Sequence, residues 1–323
     1  MNFIKKQIEQ FNTIIIHGHK TPDGDCYGSQ LGLKDIIATN YPDKKVYVVG
    51  DETPKISFLG KMDQIEDDVY KDALVFIVDC GQSSIISDNR YKLGKMSIRI
   101  DHHLFVQKIA DYEWIDSNFA SCSEMIYYFK KFHNYKLTYK GALPIYTGIV
   151  TDTGNFRFER VNYKTFQFVV DLLKYDLNVF EIDQKINFKS VNLLKFQGYV
   201  CSNFIAEGGF IYFKFSEEIL EQYNLTVEEA FSIVNVFNYI ENNSVWGFIL
   251  AYKNGSYKFS LRSLGPKINS IAHKFGGGGH QKACGIFVQN TDEMNEVIEL
   301  IKESIKVFNS EKSQTIHTNI TNK

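Results

Sequence analysis

The chain has 323 residues, of which 44% are hydrophobic and 23% are charged, a composition that indicates a globular protein and excludes a fibre or a disordered chain. This length favours two domains. The formal net charge of −2 excludes the broad basic surface that holds long nucleic acid through counterion release, so a nucleic-acid substrate is expected to be short rather than long duplex DNA.

No apolar run approaches the roughly 20 residues that span a bilayer, and residues 1–10 are too polar for a secretory signal. The sequence therefore predicts a cytoplasmic protein without a membrane segment. The five cysteines contain no C-x-x-C pair, and their odd number argues against a disulfide framework.

A strand, a turn and a helix are predicted over residues 14–29. The apolar strand ends at His19, the turn passes through Pro22 and Gly24, and a helix is predicted from Gly28 to Asn40. Ligands of open α/β sheets bind at the carboxyl ends of the strands, so the polar side chains of this turn are candidates for a functional site.

The turn carries His19, Asp23 and Asp25 in place of the glycines and lysine of a phosphate-binding loop. Two carboxylates would repel a phosphate unless a cation lay between them. One imidazole and two carboxylates suit a divalent ion such as manganese better than a metal that prefers thiolates. From this stretch alone, an ordinary Asx-type turn with an exposed histidine stays open as the alternative.

Three later apolar elements also end in acidic or imidazole side chains. Asp79 follows a continuous apolar run typical of a buried parallel strand, Asp101, His102 and His103 follow another such run, and Asp152 follows an apolar segment with helical spacing. The alternation of strands and helices predicts a doubly wound, mainly parallel α/β domain. Strands are predicted at Val46–Val49, Leu74–Val78 and Met96–Ile100, and helices at Met125–Phe132, Gly141–Val150, Asn162–Tyr175 and Val179–Phe188.

The second half of the chain predicts a smaller mixed α+β domain. Hairpins are expected where Gly-Gly and Asn-Gly pairs separate apolar runs. The predicted domains are residues 1–190 and 199–308, with a linker at 191–198 and a frayed tail at 309–323. The elements are hairpins over Phe204–Phe215 and Val245–Leu261, helices over Glu217–Ile240, Pro266–Phe275 and Thr291–Phe308, a loop over Gly276–His280, and a strand over Ala283–Val288.

Taken one at a time, the ionisable residues have ordinary explanations, since a carboxylate can cap a turn and a histidine can be satisfied inside a core. Together they are too many for capping to explain. Carboxylates gathered in one cleft would be driven towards protonation by mutual repulsion, and two divalent cations would resolve that repulsion. The candidate set is His19, Asp23, Asp25, Asp79, Asp101, His102, His103 and Asp152.

Five motifs follow one another along the chain. They are His19-x-x-Pro22-Asp23-Gly24-Asp25, Val78-Asp79-Cys80, Asp101-His102-His103, Thr151-Asp152-Thr153-Gly154 and Gly276-Gly277-Gly278-Gly279-His280-x-x-Ala283-Cys284-Gly285. The first four resemble the motifs of the DHH phosphoesterase superfamily in content and order. The fifth resembles the signature of the C-terminal domain associated with that superfamily.

The resemblance implies a site for two divalent cations, with manganese as the expected ion and magnesium or cobalt as alternatives. Asp79 would bridge the two ions, Asp101 would support the histidine pair, and His103 would face the substrate; with His102 these residues form the expected catalytic set. His19 and Asp23 would ligate one ion, and Asp25, His102 and Asp152 would ligate the other.

The resemblance also implies that the C-terminal domain binds substrate phosphate. Backbone N–H groups of Gly276–Gly279 can surround an anion while His280 adds a donor; a flexible linker is the alternative. Arg262, within Ser260-Leu261-Arg262-Ser263, resembles the phosphate-binding arginine of the family, with a solvated strand charge as the alternative. The active site would lie in the cleft between the two domains.

The function implied is phosphoester hydrolysis, in which a metal-activated water attacks phosphorus. The chain resembles the nanoRNase and pAp phosphatase branch, which hydrolyses short oligoribonucleotides and 3′-phosphoadenosine 5′-phosphate (pAp), and the resemblance favours a homodimer. The alternatives are a cyclic or linear dinucleotide phosphodiesterase, a manganese pyrophosphatase and a non-catalytic nucleotide-binding module. Phe156, Phe158 or Tyr112 could stack on a base, with core packing as the alternative. His17 matches no motif and is treated as structural, Arg160 could reach the substrate with a surface role as the alternative, and Arg157 is given no role.

Overall fold

The structure is a computed structural model that describes residues 1–321, with side chains described up to residue 312. The chain divides into two units, Met1–Phe188 and Lys189–Lys323, and each is described by itself below. None of the described helices is long and apolar enough to cross a membrane.

A parallel sheet forms the centre of the first unit, as the sequence predicted, and it has five strands. Its strands are β1 (Thr13–His17), β2 (Lys45–Val49), β3 (Leu74–Val78), β4 (Met96–Asp101) and β5 (Tyr112–Ile115), in the spatial order β2-β1-β3-β4-β5 with every neighbouring pair parallel. All five residues of β3 are buried, as expected for a central parallel strand covered on both faces. Strand β5 was not predicted from the sequence.

The two faces of this sheet are covered differently. Alternate residues of β3 join two separate hydrophobic clusters, with Phe76 in one and Val75 in the other. The cluster around Phe76 includes residues from all six helices of the unit, whereas short 3₁₀ turns contribute to the cluster around Val75. The helices are α1 (Asn2–Gln10), α2 (Gly24–Asn40), α3 (Cys122–Phe132), α4 (Tyr139–Asp152), α5 (Tyr163–Leu172) and α6 (Val179–Asn187).

Helix α2 begins at Gly24, one turn before the predicted start at Gly28. The reason is a side-chain cap: Asp23 Oδ1 accepts hydrogen bonds from the backbone N–H groups of Asp25 and Cys26, both at 3.0 Å, which satisfies donors that the first turn of a helix leaves unpaired. Asp25 therefore lies on the first turn of a helix and not in the preceding turn.

Helices α2 and α4 pack closely and antiparallel. A Cβ atom added to Gly28 would lie 2.5 Å from the backbone oxygen of Pro144 and 3.1 Å from Gly148 Cα, so only glycine fits at this crossing. A Cβ on Gly24 would collide with Thr151, in the last turn of α4. The first turn of α2 is thereby held beside the last turn of α4, where Asp152 lies.

The second unit contains a six-stranded mixed sheet in the order β10-β11-β9-β8-β7-β6, in which only the β7-β8 pair is parallel. Both predicted hairpins are present as antiparallel pairs. The strands are β6 (Ile205–Glu207), β7 (Phe210–Ser216), β8 (Val245–Ala251), β9 (Tyr257–Ser263), β10 (Gly278–His280) and β11 (Ala283–Val288), and the helices are α7 (Val191–Asn203), α8 (Glu217–Tyr223), α9 (Val227–Phe231), α10 (Asn269–Lys274) and α11 (Thr291–Thr321).

Two expectations for the second unit were wrong in detail. The linker predicted at residues 191–198 is helical and belongs to α7, because Ser190 caps the helix and Leu193, Phe196 and Val200 recur at helical spacing in the core. The single helix predicted over Glu217–Ile240 is interrupted, because Asn224 takes a left-handed conformation (φ +49°) that ends α8.

The end of the chain also differs from the expectation. Helix α11 continues past Phe308 to Thr321, since this segment contains neither glycine nor proline to end it. The frayed tail predicted at 309–323 is therefore helical as far as residue 321, and its residues 322–323 lie outside the described part of the chain. In the predicted loop Gly276–His280, the last three residues form strand β10.

Candidate metal centre

Seven carboxylate and imidazole side chains of the first unit converge at the carboxyl ends of β1 and β3–β4, beside the first turn of α2 and the last turn of α4. They form three groups, in each of which the ligand atoms lie within 4.8 Å of one another. The groups share members, so that together they form one continuous cluster. They are His19, Asp23 and Asp79; Asp25, His102 and Asp152; and Asp79, His102 and His103.

Asp79 lies between the first two groups. Its Oδ2 is 3.5 Å from His19 Nε2 and its Oδ1 is 3.5 Å from His102 Nε2. The side chain is buried, and Oδ1 accepts no hydrogen bond from the described residues. A buried carboxylate oxygen without a donor is unfavourable unless a cation binds it, so Asp79 fits the bridging position.

Both candidate histidine ligands place Nδ1 near a backbone carbonyl oxygen. His19 Nδ1 lies 2.8 Å from the backbone oxygen of Lys20, and His102 Nδ1 lies 3.4 Å from that of Phe119. A carbonyl oxygen only accepts, so these contacts favour a proton on Nδ1, which leaves Nε2 as the ring atom that can bind a metal. The Nε2 atoms face carboxylates, with His102 Nε2 at 3.4 Å from Asp152 Oδ2.

The Asp25 carboxylate is fixed at the first turn of α3. Its Oδ2 accepts from the N–H of Cys122 at 2.6 Å and its Oδ1 from the N–H of Ser123 at 2.8 Å, a favourable position for negative charge at a helix N-terminus. Asp25 Oδ2 is also 3.8 Å from His102 Nε2. The carboxylate therefore has one geometry in which it can meet an ion.

The electrostatics of the cluster favour a cation. Burial raises the pKa of the Asp25 and Asp152 carboxyls well above the ordinary value, and the charges of neighbouring carboxylates, Asp79 among them, raise it further. Burial also raises the pKa of Asp79 itself. Without a cation these groups are driven to take up protons. Oxygen and imidazole donors together suit divalent ions such as Mn²⁺, so the residues present fit a metal centre.

Asp101 contacts His103 rather than His102. Its Oδ1 accepts from His103 Nδ1 at 2.6 Å and from His103 N–H at 3.2 Å, and its Oδ2 accepts from the buried Arg99 guanidinium. Burial would lower the pKa of His103, but the hydrogen bond to Asp101 raises it to about 9. Within the predicted histidine pair, the support from Asp101 thus goes to His103, while the Phe119 carbonyl orients His102.

Several residues that shape the cluster were missed in the sequence. Cys26 Sγ accepts from the His19 N–H at 3.3 Å, and Arg160 Nη1 donates to the backbone oxygen of His102 at 3.3 Å. Arg99 stands between the two isoleucines of β4, and a charged residue at that position is a signal that could have been used. His17 is fully buried 3.1 Å from the Tyr70 hydroxyl, in agreement with a structural role.

The candidate phosphate-binding residues of the second unit lie on three adjacent strands. Arg262 on β9 pairs with Ala283 on β11, which pairs with His280 on β10, so the Arg262 and His280 side chains flank a small residue on one face of the sheet. Arg262 donates to its neighbours Leu261 and Ser260 and forms no ion pair with the described residues. Burial lowers the pKa of its guanidinium.

The glycines before His280 are mostly explained by the fold. A Cβ on Gly277 or Gly279 would collide with the backbone of β11, and Gly276 has a φ of +70°. Gly278 differs, because a Cβ there would meet only open space. The fold does not require glycine at position 278. Because Gly278 has no side chain, a ligand can approach the backbone there.

Comparison with known proteins gives matches to both units. Residues 13–149 match the N-terminal domain of the DHH family, and residues 207–307 match the DHHA1 domain. The chain is 34% identical over 297 residues to the bifunctional oligoribonuclease and PAP phosphatase NrnA of Bacillus subtilis (strain 168), covering 91% of this chain and 95% of that protein. The chain belongs to the DHH family.

Two further relatives extend this family assignment. A probable bifunctional oligoribonuclease and PAP phosphatase NrnA of Streptococcus mutans is 35% identical over 304 residues, covering 94% of this chain and 98% of that protein. The crystal structure of an exopolyphosphatase-related protein from Bacteroides fragilis matches with a TM-score of 0.85 and 25% identity over 95% of each chain. The DHH family and two-domain architecture predicted from the motifs are confirmed.

Proposed function

We propose that this DHH-family protein is a metal-dependent phosphoesterase that hydrolyses short oligoribonucleotides and pAp. The observation that carries this proposal is the position of Asp79, which presents one oxygen to His19 and the other to His102. Two relatives that each match more than nine-tenths of this chain are named as a bifunctional oligoribonuclease and PAP phosphatase and as a probable one. All six side chains proposed as metal ligands are present in this chain and lie within the three groups of the candidate metal centre.

We assign two manganese ions to the centre. His19, Asp23 and Asp79 are the proposed ligands of one ion, and Asp25, His102, Asp152 and the second oxygen of Asp79 are the proposed ligands of the other. When bound, two such cations supply a water of lowered pKa and positive charge for the phosphoryl oxygens.

His103 is the side chain that we propose as proton donor to the substrate. Its hydrogen bond to Asp101 favours the protonated imidazole and raises the pKa of the ring, and in that form both ring nitrogens carry hydrogen. Nδ1 donates to Asp101, and Nε2–H is then the group that can donate to a phosphoryl oxygen or to the leaving oxygen. Asp101 holds the ring in this orientation.

The second unit is proposed to bind the remaining phosphate of the substrate. Arg262 is a guanidinium without an acidic partner among the described residues, and a guanidinium can bind a phosphate through two parallel hydrogen bonds. His280 and the open backbone at Gly278 are the proposed additional contacts. We propose further that the enzyme acts in the cytoplasm as a homodimer; sedimentation of the purified protein would test the dimer.

A substrate panel tests the proposed function. Purified protein with added manganese is offered di- to pentaribonucleotides, pAp, the linear dinucleotide pApA, a cyclic dinucleotide and pyrophosphate, and kcat/KM is measured for each. The proposal requires the short oligoribonucleotides and pAp to be the preferred substrates. Preference for pyrophosphate would instead indicate a pyrophosphatase, and preference for the cyclic dinucleotide would indicate a cyclic dinucleotide phosphodiesterase.

The variant Arg262→Gln serves as a control on the assignment of the two units. Removing the guanidinium should raise KM for phosphate-bearing substrates, by about 10-fold or more if a charged hydrogen bond of roughly 1.5–3 kcal/mol is lost. The manganese content of the protein should not change. Loss of manganese in this variant would show that Arg262 supports the metal centre and not the substrate.

A further inference from the structure

Three consecutive apolar side chains are exposed directly after His103. Leu104, Phe105 and Val106 are 51%, 63% and 67% exposed. Within the described part of the chain this is the only run of three large hydrophobic residues that all remain in solvent. Such a run gives up the stabilisation that burial would provide, so a partner for it is expected.

The backbone on both sides of this run is fastened. On one side, the His103 N–H and Nδ1 donate to Asp101. On the other side, Gln107 offers its backbone oxygen to Arg99 at 3.1 Å, and its side chain donates to Ser83 at 3.0 Å. The three side chains therefore project from a loop whose two ends are held by the site itself.

Phe105 follows His103 by two residues, at the edge of the candidate metal centre. His103 Nδ1 is 3.6 Å from Asp79 Oδ1, and two residues of chain span at most about 7 Å. A base is separated from its phosphate by a single sugar. A neutral aromatic ring at this distance can stack on a base, and unlike a carboxylate it does not repel the substrate.

The other aromatic candidates already have partners within the protein. The Tyr112 ring is 4.5 Å from that of Phe3, and the Phe156 ring is 5.4 Å from that of Phe166. The Phe158 ring covers Gly154, where a Cβ would lie 2.5 Å from it. In contrast, Phe105 has no ring partner among the described residues.

We propose that Phe105 stacks on a base of the oligoribonucleotide substrate and that Leu104 and Val106 provide apolar contact beside it. This inference rests on the proposed function and adds the residue that recognises the nucleoside next to the scissile phosphate. Because every base has an aromatic face, the contact favours nucleotides over base-free phosphoesters without selecting one sequence.

The experiment compares Phe105→Ala, Phe105→Leu and Phe105→Trp on a diribonucleotide with manganese present. Loss of a stacked ring should lower kcat/KM about 5- to 150-fold in the alanine and leucine variants, whereas tryptophan should keep most of the activity. Manganese binding, measured by titration calorimetry, should be the same in all variants. Phe180→Ala, which removes a ring of similar exposure (69%) from α6, is the matched control and should be silent.

Two dinucleotide analogues, each lacking one of the two bases, identify which base stacks on Phe105. For the analogue that lacks the stacked base, wild type and Phe105→Ala should have equal kcat/KM. Equal turnover of the intact dinucleotide by wild type and Phe105→Ala would overturn the inference while leaving the proposed function intact. The same conclusion would follow if Phe105→Ala dissociated a dimer without changing the turnover per active site. No turnover of any dinucleotide by the wild type would overturn both.

Discussion

Asp79 has a backbone conformation that few side chains adopt. Its φ is +56°, and its N–H donates to the Ile100 oxygen at 3.0 Å, which fixes it between the ends of β3 and β4. A left-handed conformation at a non-glycine residue costs about 1–3 kcal/mol, although aspartate and asparagine tolerate it better than most residues. The strain is found at the residue whose two oxygens face two ligand groups.

Replacing Asp79 by asparagine should separate activity from folding. Asparagine keeps the shape and tolerates the same φ, but it removes the charge that two ions would share, so turnover should fall at least about 100-fold, since changes of outer-shell groups alone cost 10- to 100-fold. Without metal, the variant should be more stable than the wild type, on the order of 1 kcal/mol, because one buried carboxylate is gone. Thermal unfolding with and without manganese measures the change in stability. Turnover of a diribonucleotide measures the loss of activity.

Asp72→Asn is the matched control for this prediction. Asp72 also has a left-handed φ, of +62°, but it is exposed and pairs with Lys95 at the surface. Its replacement should change neither turnover nor the stabilisation by manganese, because exposed ion pairs contribute little. Near-normal turnover of Asp79→Asn would rule out the bridging assignment.

At the scale of elements, the site depends on how closely α2 and α4 approach. Gly28 meets the backbone of α4 directly, and a backbone atom cannot move aside as a side chain can. The same helix pair carries Asp25 on the first turn of α2 and Asp152 on the last turn of α4. The close approach of the two helices at Gly28 therefore helps to hold these carboxylates near each other.

Gly28→Ala should weaken both stability and metal binding. The added methyl group forces the helices apart, with an expected loss of about 1–3 kcal/mol in the free energy of unfolding and a lower affinity for manganese. Gly198→Ala is the control, because Gly198 lies within α7 with nothing within 4 Å of an added Cβ. That variant should gain about 1 kcal/mol from helix propensity. Chemical unfolding and metal titration of the two proteins provide the comparison, and equal manganese affinity would exclude the role given to Gly28.

The sequence was sufficient for features that repeat along short segments. Strand β3 was predicted to the residue because its apolar run is continuous and ends at Asp79. The start of α2 was missed because the capping of Asp23 depends on its rotamer, and β10 was missed because glycines have no strand propensity of their own. Contacts between distant residues, such as the Phe119 carbonyl at His102, leave no local pattern.

The first of the two units should lose stability in mild acid through His17. This side chain is fully buried, and burial lowers its pKa from 6.5 to about 4, while the facing charges of Asp88 and Arg90 act in opposite directions. Because the pKa is lower in the folded state, protons bind the unfolded state preferentially between pH 6.5 and 4. The free energy of unfolding is therefore highest above pH 6.5 and falls as the pH falls towards 4. The expected size of the effect is roughly 3 kcal/mol.

Each unit carries one tryptophan, which makes this prediction measurable. Trp114 lies in β5 of the first unit and Trp246 in β8 of the second, so single-tryptophan proteins report the unfolding of each unit separately. Among proteins that retain only Trp114, the fall in unfolding free energy between pH 6.5 and 4 should be smaller with the substitution His17→Gln than without it. Proteins that retain only Trp246 should show no difference. An unchanged pH dependence in the first unit would refute the assignment to His17.

Arg99 joins two functions through one buried side chain. It fastens Asp101, which orients His103, and it also fastens the Gln107 end of the loop that carries Phe105. The three side chains between these anchor points have no such partners, so they can be exchanged without loosening the anchors. Replacing residues 104–106 alone should therefore alter the proposed base contact, while Asp101, His103 and the proposed metal ligands keep their positions.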